Sequence, residues 1–393
     1  MSTPFFSIVL PTKDREFLLE ALIESILDQD FQSFELIIAD NSDTQKIQNL
    51  LTKFNDSRIK NIRTGGLNMA DNWDQSIALA SGEYMLLFSD KVLLKKGALC
   101  SLSNFIDKKK VDCVTWNIDI FCDEEKTFYQ KFYTPFIPKI SSHNLLRNIF
   151  LSDYQAFDIA PFHCNSCISV NLLNQIRSQY GRVSYQLNPD YTLAYQVLLK
   201  IDNIYRMNDS LVILRQKDLE TGYGNGFSFV KKTEAADNFM KNNEDWVKRT
   251  GERIEIPVHG NKFIIDIMLK DLYEILKIHD VNPENYATLD ERLISYYCRT
   301  LDEIYWRIKM GVNMNDEYAC WKESLLNEKQ SIQKKVNEYL ISLRFQIIKI
   351  YLTNFIKSLP GISNVIFAIR NYIKLRKGIK FQSLEELLEE NRV

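Results

Sequence analysis

The chain has 393 residues, 45% of them apolar, with 49 Lys and Arg against 51 Asp and Glu. That length carries a catalytic core and a second region, and the near-balanced charge excludes a nucleic-acid binder built on bulk electrostatics. Seven irregularly spaced cysteines, no basic and apolar leader at the N-terminus, and charged residues breaking every apolar run point to a reduced, cytoplasmic protein without a membrane-crossing segment.

From residue 5 to about 90, short β-rich runs alternate with amphipathic stretches, the pattern of an α/β domain with a mainly parallel sheet. "FFSIVLP" reads as the first strand and "EFLLEALIESILDQ" as a helix with apolar residues at helical spacing. "FELIIAD" is the second strand, "TQKIQNLLTKF" a helix and "IKNIRT" the third strand. "MADNWDQSIALAS" is a third helix stopped by Gly82, and "EYMLLF" is the fourth strand. Beyond about residue 255 the chain turns to long helical segments rich in Leu, Ile, Lys and Tyr, so a catalytic region over 1–255 and a helical region over 256–393 are expected.

Thr12, Lys13 and Asp14 follow the first strand, Asp40 closes the second, and Ser89 and Asp90 follow the fourth. Ligands of open α/β sheets bind outside the carboxyl ends of the strands, so these polar groups converge on one rim. No G-x-x-x-x-G-K-S/T loop is present, and "LPTKDR" stands where a G-x-G-x-x-G turn would follow the first strand. A classical P-loop or dinucleotide-binding enzyme is therefore not expected, leaving carboxylates, hydroxyls and a cation for the task.

"FSIVLPTKDREFLLEALIESILDQDFQSFELIIADNSD", then "NWDQSIALASGEYMLLFSD" and "NPDYTLAYQVLL", resemble family 2 glycosyltransferases of the GT-A fold over roughly the first 230 residues. The resemblance implies a Rossmann-like nucleotide-sugar domain and, in general, inversion at the anomeric carbon. It assigns Pro11, Thr12, Asp14, Asp40, Asn72, Ser89, Asp90 and Lys91 to the nucleotide-sugar, with Asp40 accepting a hydrogen bond from the base, often uracil. A UDP-sugar is the favoured donor, and a glycan or lipid-linked acceptor in cell-surface polysaccharide synthesis is implied.

Asp90 matches the start of the family's D-x-D region, which holds Mn²⁺ or Mg²⁺ against the diphosphate, but the following positions are Lys91 and Val92. One carboxylate with substrate phosphates is a workable Mg²⁺ site, and a fixed ammonium at Lys91 is the other route to neutralising the leaving group. As an ordinary residue, Asp90 would be a strand-end turn acid.

Attack by an acceptor hydroxyl requires a base. In "LNPDYTLAYQVLLK", Asn188 reads as an N-cap, Pro189 as the first helical residue and Asp190 as a first-turn acid. Asp190 matches the family's catalytic carboxylate, while the helix dipole also favours an acid there. In "HCNSC", one C-x-x-C falls short of a zinc site, and the resemblance puts His163 or Asn165 on the acceptor side, a packed loop being the other reading.

The glycine-rich "ETGYGNGFSF", Glu220 to Phe229, would close over a diphosphate or turn the chain out of the core. Ile332, Val336, Leu340, Leu343, Ile347, Ile350 and Phe355 form one apolar helical stripe, and from Ile341 to Lys380 there are eight Lys or Arg and no acid. Such a stretch suits an anionic membrane surface at the inner face of the cell membrane, or a helical domain whose basic face is solvated or which packs on a partner subunit. The alternative to catalysis is a carbohydrate-binding scaffold on a degenerate transferase fold, for which Asp190 would have no use.

Overall fold

The alternating strands and helices fold in the order expected from the sequence: β1 (Phe6–Thr12), α1 (Glu16–Leu27), β2 (Phe34–Asp40), α2 (Lys46–Leu51), β3 (Ile59–Arg63), α3 (Met69–Ala78) and β4 (Tyr84–Leu87). The computed structural model describes residues 3–130, 136–185, 188–217, 255–257, 263–309, 311–343 and 379–380. β1 is flanked by β2 and β4, with β3 beyond β2, all parallel. β1 and β2 are buried at every position, which is why they read as near-continuous apolar runs.

Next come β5 (Val92–Leu94), α4 (Ala98–Lys109), β6 (Cys113–Cys122), β7 (Thr127–Tyr129), β8 (Lys139–Ser141), α5 (Ser142–Phe150) and α6 (Tyr154–Ile159). They are followed by β9 (Ser166–Ser169), α7 (Val170–Tyr180), α8 (Pro189–Leu198) and β10 (Asn203–Gln216). β9 inserts antiparallel between β4 and β6, so the sheet changes direction next to the parallel core. β10 then runs parallel to β6 and antiparallel to β5 and β8. A short β11 (Ile379–Lys380) pairs antiparallel with β7.

Alternation along β1 sends Phe6, Ile8 and Leu10 to one face and Val9 to the other. The first face is covered by α1, α2 and α4; Leu19, Leu22, Ile23 and Ile26 of α1 are fully buried there. Each such side chain contributes about 1.5–3 kcal/mol of burial. The second face is covered by α3, α7 and α8, and its core continues without a break into α9 (Ile264–Ile278), α10 (Leu289–Lys309) and α11 (Asn315–Leu326).

The described helices of the region expected over 256–393 therefore share one core with the sheet. Residues 330–343 are also helical; Ile332 and Val336 are buried in that core and Leu340 and Leu343 pack against it. The rest of the predicted stripe, Ile347 onward, lies outside the described residues. Among the described residues no helix is long and apolar enough to cross a membrane.

The turn before β4 needs glycine. Gly82 N donates to Ser7 Oγ at 2.8 Å, and a Cβ on Gly82 would lie 2.9 Å from Ser7 N. This close approach fixes the start of β4 against β1 and so the level at which Asp90 emerges.

Candidate active site

The parallel register puts Thr12 level with Asp40, and Val9 level with Leu87, so the polar ends of β1, β2 and β4 do meet at one rim. Thr12 Oγ1 donates to Asp90 Oδ2 at 3.1 Å. On the other carboxylate oxygen, Arg15 Nη1 donates to Asp90 Oδ1 at 3.3 Å. Asp90 is 4% exposed, while the Arg15 side chain keeps 33% of its surface in solvent. Arg15 escaped sequence reasoning. It stands at the N-cap position of α1 without capping through its side chain, which crosses instead to the end of β4.

This arrangement decides how a divalent cation fits. A hard cation takes carboxylate oxygens that are free to coordinate it, whereas the lone acid here already shares its oxygens between a hydroxyl and a guanidinium. Among the described residues no group of three His, Cys, Asp or Glu is placed to hold a metal ion. For the Mn²⁺ or Mg²⁺ implied by the resemblance, the described residues offer one carboxylate, Asp90, each of whose oxygens already accepts one hydrogen bond. Lys91 is half-buried at the head of β5, its carbonyl accepting from Arg215 N at 2.8 Å.

Asp40 is fully buried. Its Oδ1 accepts from Ser42 N at 2.9 Å and its Oδ2 from Gln48 Nε2 at 2.8 Å, with Arg63 Nη1 at 3.7 Å. Both oxygens are thus committed to the loop after β2 and to α2. Asp14, in the left-handed region at φ 53°, donates its backbone N–H to Ser42 Oγ at 2.9 Å. Pro11 is buried within β1 beside Ala39. Asn72, also buried, accepts from Thr64 Oγ1 at 2.6 Å, tying α3 to the end of β3.

A second cluster closes the rim from the far side. Cys164 N donates to Leu87 O at 2.8 Å, which sets the loop before β9 against the end of β4. Ser89 Oγ lies 3.6 Å from Cys164 Sγ. His163 Nδ1 lies 3.0 Å from Asp190 Oδ2, and its ring meets Trp73 of α3 edge to face, centroids 5.4 Å apart. The structure thus joins two residues that the sequence suggested separately, the acid of α8 and the histidine of the loop before β9.

Burial opposes charge on His163, but the Cys164 thiolate and the Asp190 carboxylate outweigh it and push the imidazole up to about 10. Burial likewise opposes a Cys164 thiolate, and the neighbouring His163 charge lowers that thiol below its ordinary range. His163 thus carries its charge beside the Asp190 carboxylate, and Asp190 keeps about a fifth of its side chain in solvent. A partner hydroxyl can therefore approach the carboxylate edge that His163 leaves open.

One expectation changes. Asn188 stands at the N-cap of α8, with Pro189 and Asp190 in the first turn, but its side chain makes no cap hydrogen bond. It donates instead to Asp271 Oδ2 of α9 at 2.8 Å. Asn165 is 4% exposed and its amide nitrogen donates to Ala160 O at 3.0 Å, which braces the loop. Cys164 and Cys167 both pack in the core beneath the sheet, as a packed loop requires. The glycine-rich stretch from Glu220 to Phe229 lies outside the described residues.

Residues 7–170 match the family described as glycosyl transferase family 2. Over 104 residues the chain is 36% identical to a GalNAc(5)-diNAcBac-PP-undecaprenol beta-1,3-glucosyltransferase of Campylobacter jejuni, a match covering 25% of this chain and 33% of that one. It is 24% identical over 214 residues to glycosyltransferase GlyG of Streptococcus pneumoniae, covering 51% and 69%. A crystal structure of residues 1–349 of TarS from S. aureus aligns over 77% of this chain and 89% of that one, with 16% identity and a TM-score of 0.46.

Proposed function

We propose that the chain, which belongs to glycosyl transferase family 2 through residues 7–170, moves a sugar from a nucleotide-sugar to a hydroxyl of a lipid-linked glycan with inversion. The observation that carries the reading is the His163–Asp190 pair, set beside the ends of β1 and β4 where a donor would lie. Asp190 takes the proton of the acceptor hydroxyl as its oxygen bonds to the anomeric carbon. The bond from that carbon to the diphosphate breaks on the opposite face, and its electron pair leaves with the phosphate oxygen. His163 donates to Asp190 Oδ2, fixing the carboxylate so that its other oxygen faces the acceptor.

Thr12, Asp14, Ser89 and Asp90 would line the donor's phosphates and ribose, with Pro11 and Asn72 holding the backbone beneath them. Asp40, at the end of β2 among Ser42 and Gln48, would accept from the base. A UDP-sugar is the favoured donor. The undecaprenol-linked substrate in the name of the Campylobacter relative supports a lipid-diphosphate acceptor, and the basic stretch after Ile341 would bring the chain to an anionic membrane surface.

The test is a thermal-shift screen of UDP- and GDP-sugars followed by NMR of the products. One nucleotide-sugar should raise the melting temperature and be hydrolysed slowly, giving the sugar with inverted anomeric configuration. If no nucleotide-sugar stabilises the chain or is consumed, the transferase reading fails and a scaffold is left.

A further inference from the structure

We infer that Arg15 stands in for the divalent cation, binding the donor diphosphate through a guanidinium held in place by Asp90. The inference rests on the nucleotide-sugar reading above and adds what neutralises the leaving group. Its first ground is geometric: Arg15 Nη1 donates to Asp90 Oδ1 at 3.3 Å, and Thr12 Oγ1 donates to the other carboxylate oxygen at 3.1 Å. A guanidinium has five N–H donors in a planar fork suited to phosphate. Asp90 takes one of them, and a third of the side chain still faces solvent.

The second ground is charge. One carboxylate with a divalent cation leaves one net positive charge for the diphosphate. Asp90 with the guanidinium of Arg15 and the ammonium of Lys91, the next residue in the chain, sums to the same formal charge. The replacement of the second acid by Lys91 and the recruitment of Arg15 are then two halves of one substitution. A further acid in the D-x-D position would cancel the charge that Lys91 supplies.

The third ground is how Arg15 is anchored. Its carbonyl accepts the Leu18 and Leu19 N–H groups at the start of α1, at 3.0 and 3.3 Å. The backbone is thereby fixed, and a side chain tied at Asp90 is pre-organised for an anion at the rim. On this account Asp90 is a positioning residue and Arg15 touches the leaving group.

Isothermal titration of the full chain with UDP and GDP, each in EDTA and again with Mn²⁺, tests this. One diphosphate should bind equally well in both conditions. Arg15→Met should weaken that binding about tenfold to a hundredfold, the worth of a charged hydrogen bond, and Arg15→Lys should weaken it less. An unchanged melting temperature of ligand-free Arg15→Met shows that the fold is intact. Binding that requires Mn²⁺ and ignores Arg15→Met would overturn the inference while leaving the transferase reading in place. Absence of binding by either diphosphate in both conditions would bring down the two together.

Discussion

Replacing Asp190 by Asn keeps the side-chain size and the helix entry behind Pro189 but removes the proton acceptor. Turnover should fall by about 10² to 10⁴ while donor affinity is unchanged. The structure supplies a second readout in His163, whose Nδ1 lies 3.0 Å from Asp190 Oδ2. Against the opposition of burial, the Cys164 thiolate and Asp190 raise its imidazole to about 10. A rise of that size is worth about 5 kcal/mol in favour of the imidazolium. A contacting opposite charge accounts for about 1 to 3 pH units of it. Asp190→Asn should therefore lower the His163 midpoint by that amount, the Cys164 contribution remaining. Because the folded value lies above 6.5, the stability gained from the charged imidazole is complete below pH 6.5 and is lost as pH rises through about 10. The variant should show a smaller loss over that window. With four histidines in the chain, NMR titration can follow His163 individually. Undiminished turnover would remove Asp190 from the chemistry; lost turnover with an unmoved His163 midpoint would show that the two do not act as a pair.

Gly82→Ala would press a Cβ to 2.9 Å from Ser7 N and Oγ; it should cost about 1–3 kcal/mol, and an unaltered urea midpoint would refute the close-approach argument. Asp74 joins α3 to α7 and to the chain entering α8, accepting from Arg177 Nη1 at 2.8 Å and from Val183 N at 2.9 Å. Asp74→Asn should cost about 1–3 kcal/mol by denaturation, and no change would mean these contacts add nothing. Ending the chain after Leu343 should abolish binding to anionic vesicles at low salt and leave turnover on a water-soluble acceptor intact. Vesicle binding that survives the cut would exclude the basic stretch as the membrane contact.

What the sequence disclosed depended on the range of each interaction. β1 and β2 were legible because strands buried on both faces must be apolar throughout, and the rim followed because polar residues closed those runs. Thr12, Ser89 and Asp90 could be placed from that alone. Arg15 could not, since its partner lies 75 residues away and no spacing encodes a side chain reaching from a helix start to a neighbouring strand end. His163 and Asp190 were each visible but their union was not, for the same reason. Asn188 shows a local rule overridden: an asparagine before Pro189 satisfies the rule for capping, yet a buried acid 83 residues on takes its amide. The apolar stripe was legible as helix from Ile332 to Leu343, where it packs on the common core.

That distant acid explains why the helices after the sheet domain belong to the site. Asp271 is fully buried and its Oδ1 has no hydrogen-bond partner among the described residues. Burial raises its carboxyl well above the ordinary range, the Asn188 amide opposes this, and the charge of Asp190 adds to the rise. Asp271 of α9, its carboxyl raised by burial, thus grips the residue preceding the first turn of α8, the turn that carries Asp190. Further along, Tyr195 donates to Met268 O at 3.4 Å and His279 Nε2 lies 3.3 Å from Gln196 Oε1. The last pair sits beside a stacking of His279 on Tyr180 of α7, centroids 3.8 Å apart. Three polar contacts therefore run the length of α8, over a core that α8 and α9 share. Cutting the chain near residue 256, where composition changes, would strip the buried face of the helix that carries Asp190. The composition marks where helices begin; the packing joins those helices, as far as Leu343 among the described residues, to the core under α8.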